Sequence, residues 1–140
     1  MIKLKPYSAS VLALGGLLLI AMGIYFVLLR PPLLPEDLRY MGSTLQNEKE
    51  NIPGLLNWLP KVFWVMGGYI FTTGLLIIFI ALTSFRNRLR GAFSIVALAA
   101  ISSIGLMTVV NFMIGSDFKW VLLIFILSWI IALILYRLHK

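Results

Sequence analysis

The side chains that could do chemistry are concentrated in one polar segment, residues 30–61. It holds four of the chain's five acidic residues, among them the adjacent pair Glu36 and Asp37. Paired carboxylates act as general acid and base only when both face one substrate. Neighbouring residues on a helix point about 100° apart, so this pair diverges. Acids in a first helical turn, stabilised by the helix dipole, are the simpler interpretation.

The other reactive residue types exclude several enzyme classes. His139 is the sole histidine, and the charge pattern places it across the membrane from every acidic residue. A Ser-His-Asp triad or a His-carboxylate metal site is therefore impossible within one chain. Cysteine is absent, which removes thiol nucleophiles and thiolate metal ligands. We predict a non-enzymatic protein with no catalytic residue, no metal and no cofactor.

The candidate binding residues are five polar side chains: Glu36, Asp37, Arg39, Tyr40 and Asn111. The first four follow the first apolar stretch. Arg39 can either pair with an acid of the polar segment or bind an anionic lipid headgroup. Asn111 is the most polar side chain inside a predicted span and lies near one of its ends, where it can bond a neighbouring helix, the polar segment or a ligand.

The elements that must position these residues are membrane helices. The chain has 140 residues, of which 61% are hydrophobic and only 12% charged, which is typical of a membrane protein. Four apolar stretches, at about 7–29, 62–82, 92–114 and 120–136, contain no ionisable side chain except tyrosine. Each is long enough to cross a hydrocarbon core of about 30 Å. We predict an all-α integral membrane four-helix bundle, one domain over residues 1–140, with an extracytoplasmic loop at 30–61.

The charges predict how the bundle sits in the membrane. One side carries seven basic residues and no acid: Lys3, Lys5, Arg86, Arg88, Arg90, Arg137 and Lys140. The positive-inside rule makes that side cytoplasmic, so both termini are expected in the cytoplasm and the location is the cell's inner (plasma) membrane. The net charge of +7 is then an orientation signal, and we predict no nucleic-acid binding.

The loop is expected to be partly helical. Pro35 can start a helix, with acids in its first turn. Leu34, Leu38, Met41 and Leu45 recur at helical spacing and predict a short amphipathic helix on the membrane surface or over the bundle. Gly42 weakens that helix in its middle. The polar run 46–51 is expected to be an exposed tip, and residues 52–54 turn the chain back.

Small residues in the first apolar stretch predict close helix packing. Ala9, Ala13, Gly16 and Gly23 fall roughly on one helix face, and such a face lets a second helix approach. Packing within the four-helix bundle is the favoured interpretation, and a dimer interface is the alternative.

The chain resembles known membrane proteins in its pattern. The run Arg30-Pro-Pro-Leu-Leu-Pro-Glu-Asp-Leu-Arg-Tyr-Met-Gly42 looks like a family signature, and the order of elements resembles the small uncharacterised four-helix membrane proteins of bacteria. In topology the chain is also similar to the DoxX-like group, without a shared motif. The resemblance implies a bacterial inner membrane and no particular activity.

Two functions remain from these exclusions. Ion-coupled transporters place ionisable residues inside the membrane, and the apolar stretches contain none beyond tyrosine. We predict an accessory or interaction subunit of a membrane complex, whose partner is another membrane protein or a second copy and which contacts membrane lipid. The alternative is a pocket for a lipid- or quinone-type molecule, with the 30–61 loop as its lid and Arg39, Tyr40 and Asn111 at its mouth.

Overall fold

The computed structural model describes residues 5–138; Lys3, His139 and Lys140, which entered the predictions above, lie outside them. The described chain is all-helical. Its helices are α1 (Lys5–Leu28), α2 (Pro35–Met41), α3 (Leu45–Asn51), α4 (Leu55–Ile80), α5 (Ala92–Ala100), α6 (Leu106–Met113) and α7 (Lys119–Leu138). Two π-helical turns, Ala81–Phe85 and Ile101–Gly105, extend α4 and join α5 to α6.

Four of these helical stretches are long and apolar enough to cross a membrane, as predicted. They are the first span (Tyr7–Leu28), the second (Leu55–Phe85), the third (Ala92–Met113) and the fourth (Lys119–Leu138). We call the end that carries residues 29–54 and 114–118 the loop end. The end that carries residues 86–91 is the connection end.

The second span begins earlier than the apolar pattern indicates. Helix α4 starts at Leu55 rather than at Val62 and runs through Pro60. Pro60 is the sixth residue of α4, so its missing amide removes one interior helical hydrogen bond, to the Leu56 carbonyl oxygen, and its ring crowds the preceding turn. The helix nevertheless continues through it. Residues 55–61, predicted as the last part of the polar loop, therefore form the first part of the span.

Glycines allow the first and second spans to pack backbone against backbone. A Cβ built on Gly23 would lie 2.7 Å from the carbonyl oxygen of Gly67, and one built on Gly67 would lie 2.8 Å from that of Gly23. Gly16 and Gly74 form a second such pair, with distances of 2.9 and 2.6 Å. The small-residue face of the first span is thus used within the chain, as small residues are in close membrane helix pairs.

The fourth span packs on another side of the first. Its buried face includes Leu122, Trp129 and Ala132. The indole of Trp129 fits against Gly15, where a Cβ would lie 2.7 Å from the ring. The third span packs mainly on the fourth, so the lateral order is second, first, fourth, third.

The second and third spans meet at the connection end. There the turn Ala81–Phe85 contacts α5. Phe85 stacks on Tyr136 with ring centroids 4.3 Å apart, and Phe93 adds a third ring. The guanidinium groups of Arg88 and Arg137 cover Tyr136 and Phe93, each 4.5 Å from the ring centroid. This aromatic cluster closes the connection end of the bundle.

The polar loop contains two short helices, and the single amphipathic helix predicted through Gly42 is wrong. Gly42 adopts a left-handed conformation (φ 66°) and ends α2, a conformation that favours glycine. Thr44 then caps α3, its hydroxyl accepting a hydrogen bond from the Asn47 amide at 3.2 Å. The polar run 46–51, predicted as a tip, is helical in α3 and largely exposed.

Candidate apolar cavity with a polar end

A cavity of about 730 Å³ lies among the four spans toward the loop end. Its volume falls within the range of about 300–1,000 Å³ that is usual for small-molecule sites. The walls are mainly apolar side chains, among them Leu19, Met22, Phe26, Phe63, Ile70, Ile104, Met107 and Phe125. The charged side chains in its lining, Arg30, Glu36 and Asp37, all come from the polar loop.

The cavity opens sideways between the second and third spans. Met66 and Tyr69 line it from the second span, and Leu106 and Val110 line it from the third. All four are exposed on the surface of the bundle. Since these two spans are at opposite ends of the lateral order and meet at the connection end, they leave this gap near the loop end. The gap faces the surroundings of the spans, which in a membrane is hydrocarbon.

Arg30 is fixed at the polar end by three neighbours. Its guanidinium lies 3.5 Å from the ring centroid of Phe63 and 5.2 Å from that of Phe26. Its Nη2 donates to Asp37 Oδ2 at 3.3 Å. Such stacking holds the planar cation in one orientation. The other terminal nitrogen, Nη1, is buried without a hydrogen-bond partner.

Burial changes the electrostatics of Arg30. Removal of the guanidinium from water lowers its pKa, and the negative charge of Asp37 opposes this, with smaller contributions from Tyr25 and Glu36. A guanidinium nevertheless stays protonated in proteins. The site therefore contains a desolvated cation that has one donor nitrogen still to satisfy. Among cavity-lining side chains that the structure describes, only Arg30 has such a buried unpartnered nitrogen or oxygen.

Glu36 is the other buried charged group at this end, with 3% of its surface exposed. The hydroxyl of Ser116, between the third and fourth spans, donates to Glu36 Oε1 at 3.1 Å. The same hydroxyl oxygen accepts a hydrogen bond from the Phe118 amide at 3.1 Å. Glu36 thereby ties α2 to the turn between the third and fourth spans, over the end of the cavity.

The predicted binding residues separate into two groups. Glu36, Asp37 and Asn111 line the cavity. Asp37 also caps α2, because Oδ2 accepts from the Leu34 amide at 2.9 Å, and Asn111 donates to the Met107 carbonyl oxygen one turn earlier in its own helix at 2.8 Å.

Arg39 and Tyr40 are not part of the cavity lining. Arg39 donates to Asp117 Oδ1 at 3.1 Å in an exposed ion pair, and Tyr40 is exposed. Of the two possibilities for Arg39, an ion pair forms, but with Asp117 in the turn before the fourth span rather than with an acid of the polar segment.

The sequence interpretation missed Arg30, Phe63 and Ser116 as members of the site. A signal for Arg30 exists: it directly follows an apolar span and precedes two prolines, and Phe26 stands one helical turn before it. No local signal links it to Phe63, which belongs to the next span, or Ser116 to Glu36.

Among the residues that the structure describes, no group of three or more histidine, aspartate or glutamate side chains could bind a metal ion. No protein-family model, curated protein or solved structure matches the chain.

Proposed function

We propose that this chain is a membrane protein that binds an apolar, lipid- or quinone-type molecule in the cavity under its polar loop. The observation that carries the proposal is an apolar cavity of about 730 Å³ that opens between two membrane spans and ends in a few fixed polar groups. Small-molecule sites combine these same features, apolar walls and a small number of oriented polar side chains. The lateral gap gives an apolar molecule a path from the bilayer.

The loop acts as the lid in this proposal. Two contacts fix α2 over the cavity, the Arg30–Asp37 ion pair and the hydrogen bond from Ser116 to Glu36. A ligand therefore enters with its apolar part between the spans and its polar part toward α2. The lid residues of α2 are Glu36 and Asp37, whereas Arg39 and Tyr40 lie on its outer side.

The location that we propose is a bacterial inner membrane, with the loop end outside the cytoplasm. All five acidic residues of the chain belong to loop-end segments, and the connection 86–91 carries three arginines and no acid. By the positive-inside rule the connection end and both termini are then cytoplasmic.

Two pairs of neighbouring residues give a matched test of the cavity. Thr73 and Ser103 line it on opposite walls, while Thr72 and Ser102 are exposed on the bundle surface. Thr73→Phe and Ser103→Phe place a ring inside the cavity, and Thr72→Phe and Ser102→Phe place the same ring outside. Native mass spectrometry of each protein, extracted gently from its own membranes, measures the bound small molecule.

The proposal predicts a discrete small-molecule mass on the wild-type protein and on both outside variants, and a loss of most of it from both inside variants. Far-UV circular dichroism checks that all four variants keep their helices. If inside and outside variants retain the same masses, the molecules are lipids on the outer surface and the cavity proposal is wrong. The cavity proposal is also wrong if the folded wild-type protein carries no small molecule.

The accessory-subunit function remains a prediction and has its own signature in this experiment. Its contact surfaces would be the fourth span and the loop helices; exposed side chains on the fourth span include Ile124, Ile130 and Ile134. Protein chains that co-purify in fixed ratio, unaffected by Thr73→Phe and Ser103→Phe, would favour it. The cavity has no role in that function, and for this reason we favour ligand binding.

A further inference from the structure

The polar end of the cavity contains more negative than positive charge. Three of its side chains are formally charged, namely Arg30, Glu36 and Asp37. Asp37 already pairs with Arg30 at 3.3 Å, and Glu36 is buried beside them with a serine hydroxyl as its partner. The formal charges at the polar end therefore sum to one net negative charge. Like charges repel more strongly in a partly buried site than in water, so an oxyanion brought to this end is repelled.

The same end still has a donor to offer. Arg30 is 89% buried, since its side chain is 11% exposed, and its Nη1 has no hydrogen-bond partner. Because this end already contains two carboxylates and one guanidinium, the partner that satisfies the donor without adding to the negative charge is a neutral hydrogen-bond acceptor. A carbonyl oxygen on the ligand has this property. A hydroxyl group on the ligand can in turn donate to the carboxylate of Glu36.

We propose that the cavity selects molecules with an uncharged polar end, whose carbonyl oxygen accepts a hydrogen bond from Arg30, and that Glu36 and Asp37 exclude anionic head groups. This inference rests on the proposed function, since it specifies which apolar molecules the cavity takes. Two sources share the required chemistry: the ring carbonyl of a quinone and the ester carbonyl of a neutral acylglycerol. Fatty acids and acidic phospholipids fall outside the class.

Two lipids that differ only in a phosphate test this selection. Monooleoylglycerol and oleoyl lysophosphatidic acid have the same acyl tail and the same ester carbonyl, and only the second is anionic at neutral pH. Purified protein in neutral detergent is mixed with equal concentrations of both, and native mass spectrometry measures which is bound. The expected preference for monooleoylglycerol is about tenfold or more, because the carboxylates at the polar end repel the phosphate of the other lipid. Decylubiquinone, added as a competitor, shows whether a quinone carbonyl occupies the same place.

Two variants with the same change of net charge test whether the preference for the neutral lipid arises at the polar end of the cavity. Glu36→Gln removes the buried carboxylate, and the preference for the neutral lipid should fall several-fold. Glu50→Gln makes the same change of net charge on the exposed surface of α3, and the preference should stay as in the wild type. Arg30→Lys keeps the positive charge but loses the fork of the guanidinium, and binding of monooleoylglycerol should weaken. Circular dichroism accompanies each variant.

The outcomes separate this inference from the proposed function. If the lysophosphatidic acid binds as well as monooleoylglycerol, or if Glu36→Gln and Glu50→Gln behave alike, the cavity binds apolar molecules without the proposed selection and the inference is wrong. If neither lipid nor decylubiquinone binds the folded wild-type protein, and the protein from its own membranes carries no small molecule, the proposed function itself is wrong.

Discussion

The contact between the first two spans can be tested with a pair of adjacent glycines. A Cβ on Gly67 would lie 2.7 Å from Val27 Cγ2, 2.8 Å from the Gly23 carbonyl oxygen and 3.0 Å from Phe26 Cβ. A Cβ on Gly68 would have nothing within 4 Å. Both positions lie in the interior of α4, so Gly→Ala has the same intrinsic effect on helix formation at each.

The expected magnitude follows from this comparison. Replacing glycine by alanine inside a helix stabilises it by up to about 1 kcal/mol. At Gly67 the added methyl group also pushes against a backbone carbonyl, and overpacking of this kind costs about 1–3 kcal/mol. The helix contribution cancels between the variants. Gly67→Ala should therefore have a free energy of unfolding about 1–3 kcal/mol lower than Gly68→Ala.

The assay is reversible unfolding in mixed micelles by titration with sodium dodecyl sulfate, followed by far-UV circular dichroism. Gly68→Ala should equal the wild type in stability or exceed it slightly. Equal stabilities of the two alanine variants would refute the close approach of the first and second spans. Because Phe26 also lines the cavity, Gly67→Ala should in addition reduce the bound small molecule, whereas Gly68→Ala should not.

Three further predictions concern the loop end and use the same unfolding assay. Ser116→Ala removes the hydroxyl donated to the buried Glu36 and should lower stability by about 1.5–3 kcal/mol, as for hydrogen bonds to charged groups. Asp117→Asn removes the partner of Arg39 in an ion pair whose side chains are 60% and 68% exposed, so stability should change by less than about 1 kcal/mol. Gly42→Ala forces a side chain onto a left-handed residue and should cost about 1–2 kcal/mol.

Matched controls sharpen these three predictions. Ser94→Ala changes an exposed serine and should be neutral. Gly54→Ala changes a glycine with φ −80° and nothing near its missing side chain, and should not destabilise. A Ser116→Ala protein as stable as Ser94→Ala would remove the structural role of the Glu36 contact. A loss of more than about 1.5 kcal/mol in Asp117→Asn would show that the exposed ion pair contributes far more than such pairs usually do.

The four spans could be predicted because uninterrupted apolar stretches of this length leave few alternatives in water or lipid. The ends of the spans were harder to predict. The uninterrupted apolar stretch begins at Val62, but α4 begins seven residues earlier, at Leu55, and continues through Pro60. At Gly42 the apolar spacing favoured one helix while the left-handed backbone requires two. In both places the tertiary structure decided between local preferences of similar strength.

The candidate site was only partly predictable for a different reason. Glu36 and Asp37 are predictable as candidate binding residues because they are charges that follow an apolar span, and both line the cavity. Arg39 and Tyr40 have the same local character but lie outside it. Arg30 acquires its role from Phe63, a contact between segments that are distant in the sequence. Composition and spacing carry no information about such contacts in a single sequence.

The central claim is that an apolar molecule occupies the cavity, and the chain's own methionines can report it. Met22 and Met107 line the cavity and are partly buried, whereas Met41 and Met113 are exposed outside it. Methionine replaced biosynthetically by photo-methionine, which carries a diazirine, adds no bulk and crosslinks to its neighbours on illumination of intact membranes. Peptide mass spectrometry then gives the mass of the adduct at each position.

The account predicts one common small-molecule adduct at Met22 and Met107, and a mixture of bulk lipids or no lipid adduct at Met41 and Met113. The same mixture of bulk lipids at all four positions, or no adduct at the two cavity positions, would contradict it.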